Sequence, residues 1–151
     1  MKREVKSLEE LRAVAESVVK DILQKPASGR AVVVGLVGEL GAGKTAFTKC
    51  VASVLGIEDT ITSPTFILEK VYTIPRESVA AGRFAKLIHI DAYRLQGEQD
   101  MRALGWGDIV SDEKNLIIVE WPEIIGGALP EDAQKISFEY LNETTRVVTT
   151  D

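Results

Sequence analysis

Residues 31–56 read Ala-Val-Val-Val-Gly-Leu-Val-Gly-Glu-Leu-Gly-Ala-Gly-Lys-Thr-Ala-Phe-Thr-Lys-Cys-Val-Ala-Ser-Val-Leu-Gly, and this stretch decides the fold. Its first seven residues, Ala31–Val37, form an apolar run that suits a buried strand. Gly38-Glu39-Leu40-Gly41-Ala42-Gly43-Lys44-Thr45 then matches the phosphate-loop pattern G-x-x-x-x-G-K-[ST] at every fixed position. Thr45–Leu55 has helical spacing, with Gly56 placed to end the helix. Strand, loop and helix in that order is the context the pattern requires. The loop's glycines let backbone N–H groups converge on phosphate oxygens with no Cβ in the way. Lys44 is expected at the β- and γ-phosphates and the Thr45 hydroxyl at Mg²⁺. Composition alone produces such a match in roughly one chain in two hundred of this length.

Outward from the loop, Ser7-Leu8-Glu9-Glu10 has capping-box spacing and opens a helix with apolar positions Leu8, Leu11, Val14, Ala15, Val18, Ile22 and Leu23. Pro26, Ser28 and Gly29 break the chain before the first strand. Downstream, Thr62-Ser63-Pro64-Thr65 is a polar connector, Phe66–Ile74 reads as a strand and Pro75–Gly82 as an exposed loop. Phe84–Asp91 reads as a strand, Glu98–Leu104 as a short helix ended by Gly105, and Asn115–Trp121 as a buried strand stopped by Pro122. Ala133–Leu141 and Thr145–Thr150 form a terminal hairpin around Asn142-Glu143-Thr144. The fold class is therefore α/β of the phosphate-loop NTPase type, a central mixed and largely parallel sheet flanked by helices, with antiparallel C-terminal strands.

At 151 residues the chain reads as a single domain spanning 1–151. Hydrophobic residues at 45% and charged residues at 27% describe an ordinary globular protein. No apolar segment follows the charged N-terminal residues and no run reaches transmembrane length, so the expectation is a cytoplasmic protein with no membrane partner. Cys50 is the one cysteine; it excludes an internal disulfide and reads as a buried structural thiol. A net charge of −5 argues against a surface that coats nucleic acid, so any role in RNA metabolism leaves the RNA to a partner.

A phosphate loop needs a carboxylate near its metal, usually at the end of a neighbouring buried strand. Leu87-Ile88-His89-Ile90-Asp91 and Leu116-Ile117-Ile118-Val119-Glu120 each end in one. Ligands gather at the carboxyl ends of parallel strands, where both acids would lie. Lys44, Asp91 and Glu120 are thus the candidate catalytic residues. One acid would hold Mg²⁺ and the other orient the attacking water, and the residues alone do not say which is which. His89 shares a strand face with Asp91 and reads as a hydrogen-bonded structural residue. Arg94 reads as an ion-pair partner and Trp121 as a core anchor, with contacts to phosphate and nucleotide as their alternatives.

Four blocks occur in order: Gly-Glu-Leu-Gly-Ala-Gly-Lys-Thr at 38–45, Thr-Ser-Pro-Thr-Phe at 62–66, His-Ile-Asp-Ala-Tyr-Arg-Leu at 89–95 and Val-Glu-Trp-Pro-Glu at 119–123. Together they resemble the TsaE (formerly YjeE) family, small bacterial ATPases of tRNA threonylcarbamoyladenosine synthesis. The resemblance implies that Glu39, Leu40, Gly41, Ala42, Gly43, Lys44 and Thr45 wrap the phosphates of ATP. It implies Thr45 and Glu120 as magnesium ligands, Asp91 as the acid needed for hydrolysis, and Trp121 as a functional residue. Thr62–Thr65 would be a switch-like loop sensing the γ-phosphate through Thr65, and the segment around Leu8 and Glu10 would contact the adenine. The implied partners are TsaB and TsaD, which transfer the threonylcarbamoyl group and meet the tRNA, while ATP hydrolysis resets the complex between turnovers.

Three rival classes are separable. A small GTPase would show D-x-x-G and N-K-x-D, and neither pattern occurs. A small-molecule kinase would add an arginine-rich lid, of which Arg76 and Arg83 are a sparse trace. A non-catalytic nucleotide-binding scaffold would have no need of both strand-end acids.

Overall fold

The computed structural model describes residues 1–61 and 69–151. The connector at 62–65 and the first residues of the strand expected at 66–74 lie outside the described residues. The elements are β1 (Lys2–Val5), α1 (Leu8–Gln24), β2 (Val32–Gly38), α2 (Lys44–Val54), β3 (Glu69–Thr73), β4 (Lys86–Asp91), α3 (Glu98–Ala103), α4 (Trp106–Ser111), β5 (Asn115–Glu120), β6 (Gln134–Asn142) and β7 (Thr145–Thr150), with two 3₁₀ turns between β5 and β6. The strands form one sheet in the order β1-β7-β6-β2-β5-β4-β3. Its centre, β6-β2-β5-β4, is parallel; β3 and the β7-β1 pair close the two flanks antiparallel.

Helix α1 starts where the capping box predicts. The Ser7 side chain accepts from Glu10 N at 3.1 Å, and Glu10 Oε2 accepts from Lys6 N at 2.7 Å. Leu11, Val14, Ala15, Val18, Val19 and Ile22 are buried along its inner face. Leu8 departs from the apolar stripe expected of it: it is the first residue of the helix and is 71% exposed.

The period-two alternation of the strands sorts the core into two layers. Val34, Leu36, Leu87, Leu116, Ile118, Ile136 and Phe138 face α1 and α2. Val33, Ile88, Ile90, Ile117 and Val119 face Met101 of α3 and Trp106 of α4. Phe47 of α2 is fully buried and meets Phe138 of β6 edge-on at 5.4 Å between centroids. That contact adds about 1 kcal/mol beyond area burial and fixes the helix behind the phosphate loop.

Two elements were not expected from the residues. Strand β1 pairs with β7 in the register Lys2↔Thr149 to Val5↔Arg146, although only Val5 of it is buried. Helix α4 follows Gly105 directly and anchors through the Trp106 indole N–H, which donates to Ala128 O at 2.9 Å. The loop expected to be exposed at 75–82 is partly folded in: Ala80 is buried, and Phe84 N donates to Ala80 O at 2.8 Å. No helix among the described residues is long and apolar enough to cross a membrane.

Candidate functional site

The carboxyl ends of β2, β5 and β4 lie side by side, and the site is built there. β2 runs into the loop at Gly38, and α2 starts from Gly43. The loop closes on itself through Ala42 N, which donates to Glu39 O at 3.1 Å, and Phe47 N donates to Gly43 O at 2.9 Å. Gly38 is packed against β6: a Cβ built on it would stand 2.5 Å from the carbonyl oxygen of Phe138.

Asp91 and Glu120 are directly paired in the β4–β5 register. Strand alternation puts both on the face that carries α2, together with His89. A cleft of about 240 Å³ brings Leu40, Gly41, Gly43, Lys44, Thr45, Asp91, Glu120 and Trp121 to one place, with Ala46 and Tyr93. The structure therefore gathers most of the residues expected to handle a phosphate and a metal. Asp91 is half-buried, and its Oδ1 accepts from Tyr93 N at 3.0 Å. Glu120 is 3% exposed, so it is no solvated strand terminus. Its Oε2 lies 2.5 Å from Nε2 of His89, whose side chain is fully buried.

Lys44 is 4% exposed. Its ammonium donates to Gly38 O and stands over the Trp121 ring, 3.5 Å from the centroid. Burial pushes the Lys44 pKa below its ordinary value, and the carboxylates of Glu120, Glu123, Asp91 and Glu39 pull it back up. Trp121 adopts φ 60°, the one positive φ of a non-glycine among the described residues. Its ring is partly buried against the core layer of Ile117 and Val119 while also lining the cleft, so it sits where a core anchor and a cleft wall would both stand. Tyr93 lies beside it in the cleft lining, with its ring 5.2 Å from that of Trp121.

A second cavity of about 340 Å³ opens on the other side of the loop. It lies between the start of α1 and the β6–β7 hairpin and is lined by Val5, Lys6, Ser7, Leu8, Leu11, Ala42, Gly43, Ala46, Phe138, Glu143, Thr144 and Arg146. Arg146 ties the hairpin to the loop: its guanidinium donates to Asn142 O at 2.7 Å and Gly41 O at 3.4 Å and stacks on Tyr140.

Several expectations fall elsewhere. Leu8 lines the second cavity, but Glu10 does not, because its carboxylate caps Lys6 N. Glu39 is exposed at the loop's outer edge, and Ala42 is fully buried beneath it. Thr65 lies outside the described residues. Arg94 is exposed and lines neither cavity. Cys50 is half-buried where a buried thiol was expected, because α2 turns it toward the edge of the α1–α2 packing; burial still pushes its thiol pKa up, against the pull of Arg12. Sequence reasoning placed Tyr93 in the block at 89–95 but gave it no role, and it did not single out Arg146 or the hairpin residues that line the second cavity.

A family model described as threonylcarbamoyl adenosine biosynthesis protein TsaE matches residues 5–148. The tRNA threonylcarbamoyladenosine biosynthesis protein TsaE of Treponema pallidum is 39% identical over 117 residues, 78% of this chain and 79% of that protein. The protein of the same name from Streptomyces coelicolor is 38% identical over 108 residues, 71% of this chain and 68% of that one. The crystal structure of Bacillus subtilis YdiB superposes with a TM-score of 0.72 at 28% identity, covering 99% of this chain and 83% of that chain.

Proposed function

This chain belongs to the TsaE family of threonylcarbamoyl adenosine biosynthesis proteins, and we propose that it is the ATP-binding and ATP-hydrolysing component of that tRNA modification. It acts as a single ATPase domain with TsaB and TsaD, supporting repeated transfer of the threonylcarbamoyl group to the adenosine beside the anticodon. The tRNA is reached through those partners, in the cytoplasm. The observation that carries this reading is the in-register pair Asp91↔Glu120 facing Lys44 and Thr45 across one cleft.

The residues suit Mg²⁺. No group of three or more His, Cys, Asp or Glu able to hold a metal occurs among the described residues. Mg²⁺ needs none when one or two carboxylates act together with phosphate oxygens. Thr45 and Glu120 would hold it, and the ion would supply neutralisation of phosphate charge. Asp91, half-buried at the mouth of the cleft, is the group assigned to the attacking water. Lys44 leaves Trp121 to meet the β- and γ-phosphates, and Glu39 to Thr45 contribute the loop's N–H groups. The base enters the second cavity, with Leu8 at its rim and the hairpin as its wall. ATP binding orders the loops and hydrolysis releases them, so the chain works as a switch on its assembly.

The test is reconstitution with TsaB, TsaD and tRNA. The chain alone is expected to release phosphate slowly and only with Mg²⁺, faster once the partners are added, and to sustain modification over many turnovers. Absence of phosphate release in the complete mixture would sink the hydrolytic reading. Label appearing on a metabolite instead of in water would make the protein a kinase.

A further inference from the structure

We propose that His89 is a positioning residue that fixes the Glu120 carboxylate, so that it stands ready for a divalent cation; this rests on the ATPase reading above. Glu120 is almost wholly buried, and the hydrogen bond that holds its carboxylate comes from His89, at 2.5 Å from Oε2 on the adjacent strand. The Lys44 ammonium is held elsewhere, by Gly38 O and over the Trp121 ring. A carboxylate with no such partner would be free to turn and lose its place as a metal ligand. The His89 bond occupies Oε2 and leaves Oε1 to the cleft that Glu120 lines.

The geometry also sets the tautomer. His89 is fully buried, and its Nδ1 has no hydrogen-bond partner. An orphaned N–H in that position is far rarer in folded proteins than an unfilled acceptor. Of the two neutral tautomers, the geometry therefore selects the one with its proton on Nε2, donated to Glu120. Partners that orient a metal-binding side chain in this way typically account for 10–100-fold in metal affinity. The β4–β5 register makes the arrangement rigid: His89 sits opposite Ile118 and Asp91 opposite Glu120, so the donor approaches the carboxylate from one residue pair back along the same face.

The test uses the full chain with Mn²⁺ as a spectroscopic stand-in for Mg²⁺. For His89→Leu, nucleotide affinity measured in EDTA is expected to stay within about threefold of wild type. Mn²⁺ affinity of the nucleotide complex, read by electron paramagnetic resonance, is expected to fall about 10–100-fold. His89→Gln, which restores an amide donor, should recover most of that loss. Equal losses with and without metal would make His89 merely structural and overturn the proposal, as would wild-type Mn²⁺ affinity in the leucine variant.

A second measurement needs no variant. The chain has one histidine, so its ring nitrogens are the only imidazole signals in a ¹⁵N spectrum. The Nε2–H tautomer is expected, with a shift when Mg²⁺ joins the nucleotide complex. An Nδ1–H tautomer, or a ring indifferent to Mg²⁺, would overturn the proposal. Failure of wild-type protein to bind Mg²⁺ and ATP at all would instead strike the ATPase reading.

Discussion

Replacing Lys44 with alanine is expected to weaken ATP binding by about 2–5 kcal/mol, roughly thirtyfold to several thousandfold, as measured by titration calorimetry. The side chain is 4% exposed and already desolvated, so on the proposed reading its charge would act on phosphate in a low-dielectric site. The same loss shows in thermal protection. ATP at a hundred times the wild-type Kd stabilises the fold by about 2.7 kcal/mol, and a hundredfold weaker variant at that concentration gains only about 0.4 kcal/mol. Unchanged affinity would remove Lys44 from the site. Its titration gives a further sign. Burial lowers its pKa in the folded protein, so the penalty for charging it is fully present below that value. As pH rises from the folded pKa toward 10.5, the unfolded chain holds the extra proton, and this group's contribution to stability rises. Nucleotide affinity moves the opposite way over the same window, because the deprotonated amine no longer attracts phosphate.

Gly38→Ala is expected to destabilise the protein by about 3 kcal/mol and lower its melting temperature by roughly 6–12 °C. The new methyl would lie 2.5 Å from the Phe138 carbonyl oxygen and 3.2 Å from its Cβ. Gly38 and Phe138 are paired in the β2–β6 register, so neither strand can retreat without breaking the parallel ladder. Gly41→Ala is the control. Its φ is +79°, but nothing lies within 4 Å of the added atom, so only the left-handed backbone penalty of about 1 kcal/mol applies. Similar melting of the two variants would mean that the close approach of β6 to the loop is not what requires glycine at 38.

The strand, loop and helix at 32–54 were legible because three local signals agree there: an apolar run, a glycine pattern and helical spacing. The placement of Asp91 and Glu120 at strand ends was equally plain, since each closes a buried apolar segment. Their direct pairing was not, because register between strands separated by about 30 residues in the chain leaves no trace in either segment. The same blindness hid the His89 contact with Glu120. Strand β1 escaped notice because Lys2, Arg3 and Glu4 are exposed and charged, as an edge strand tolerates and a pattern reader discounts. Helix α4 has six residues and no side-chain cap, so it carries none of the usual start signals. The second cavity draws on three separated stretches of chain, near 5–11, 42–46 and 138–146, and only the folded sheet brings them together.

The stacking of the Lys44 ammonium on Trp121 has an optical consequence. The protein holds two tryptophans, and they sit in different surroundings. Trp106 is buried in the opposite layer with its indole N–H donated to Ala128 O, so it emits as a constant background. Trp121 carries a cation at 3.5 Å from its ring and a tyrosine beside it, so its emission depends on where the lysine is. A phosphate that draws the lysine away is expected to change the colour and brightness of that one ring. On the proposed reading, the chain contains its own label-free lamp for the occupied cleft, lit or dimmed by the movement of Lys44.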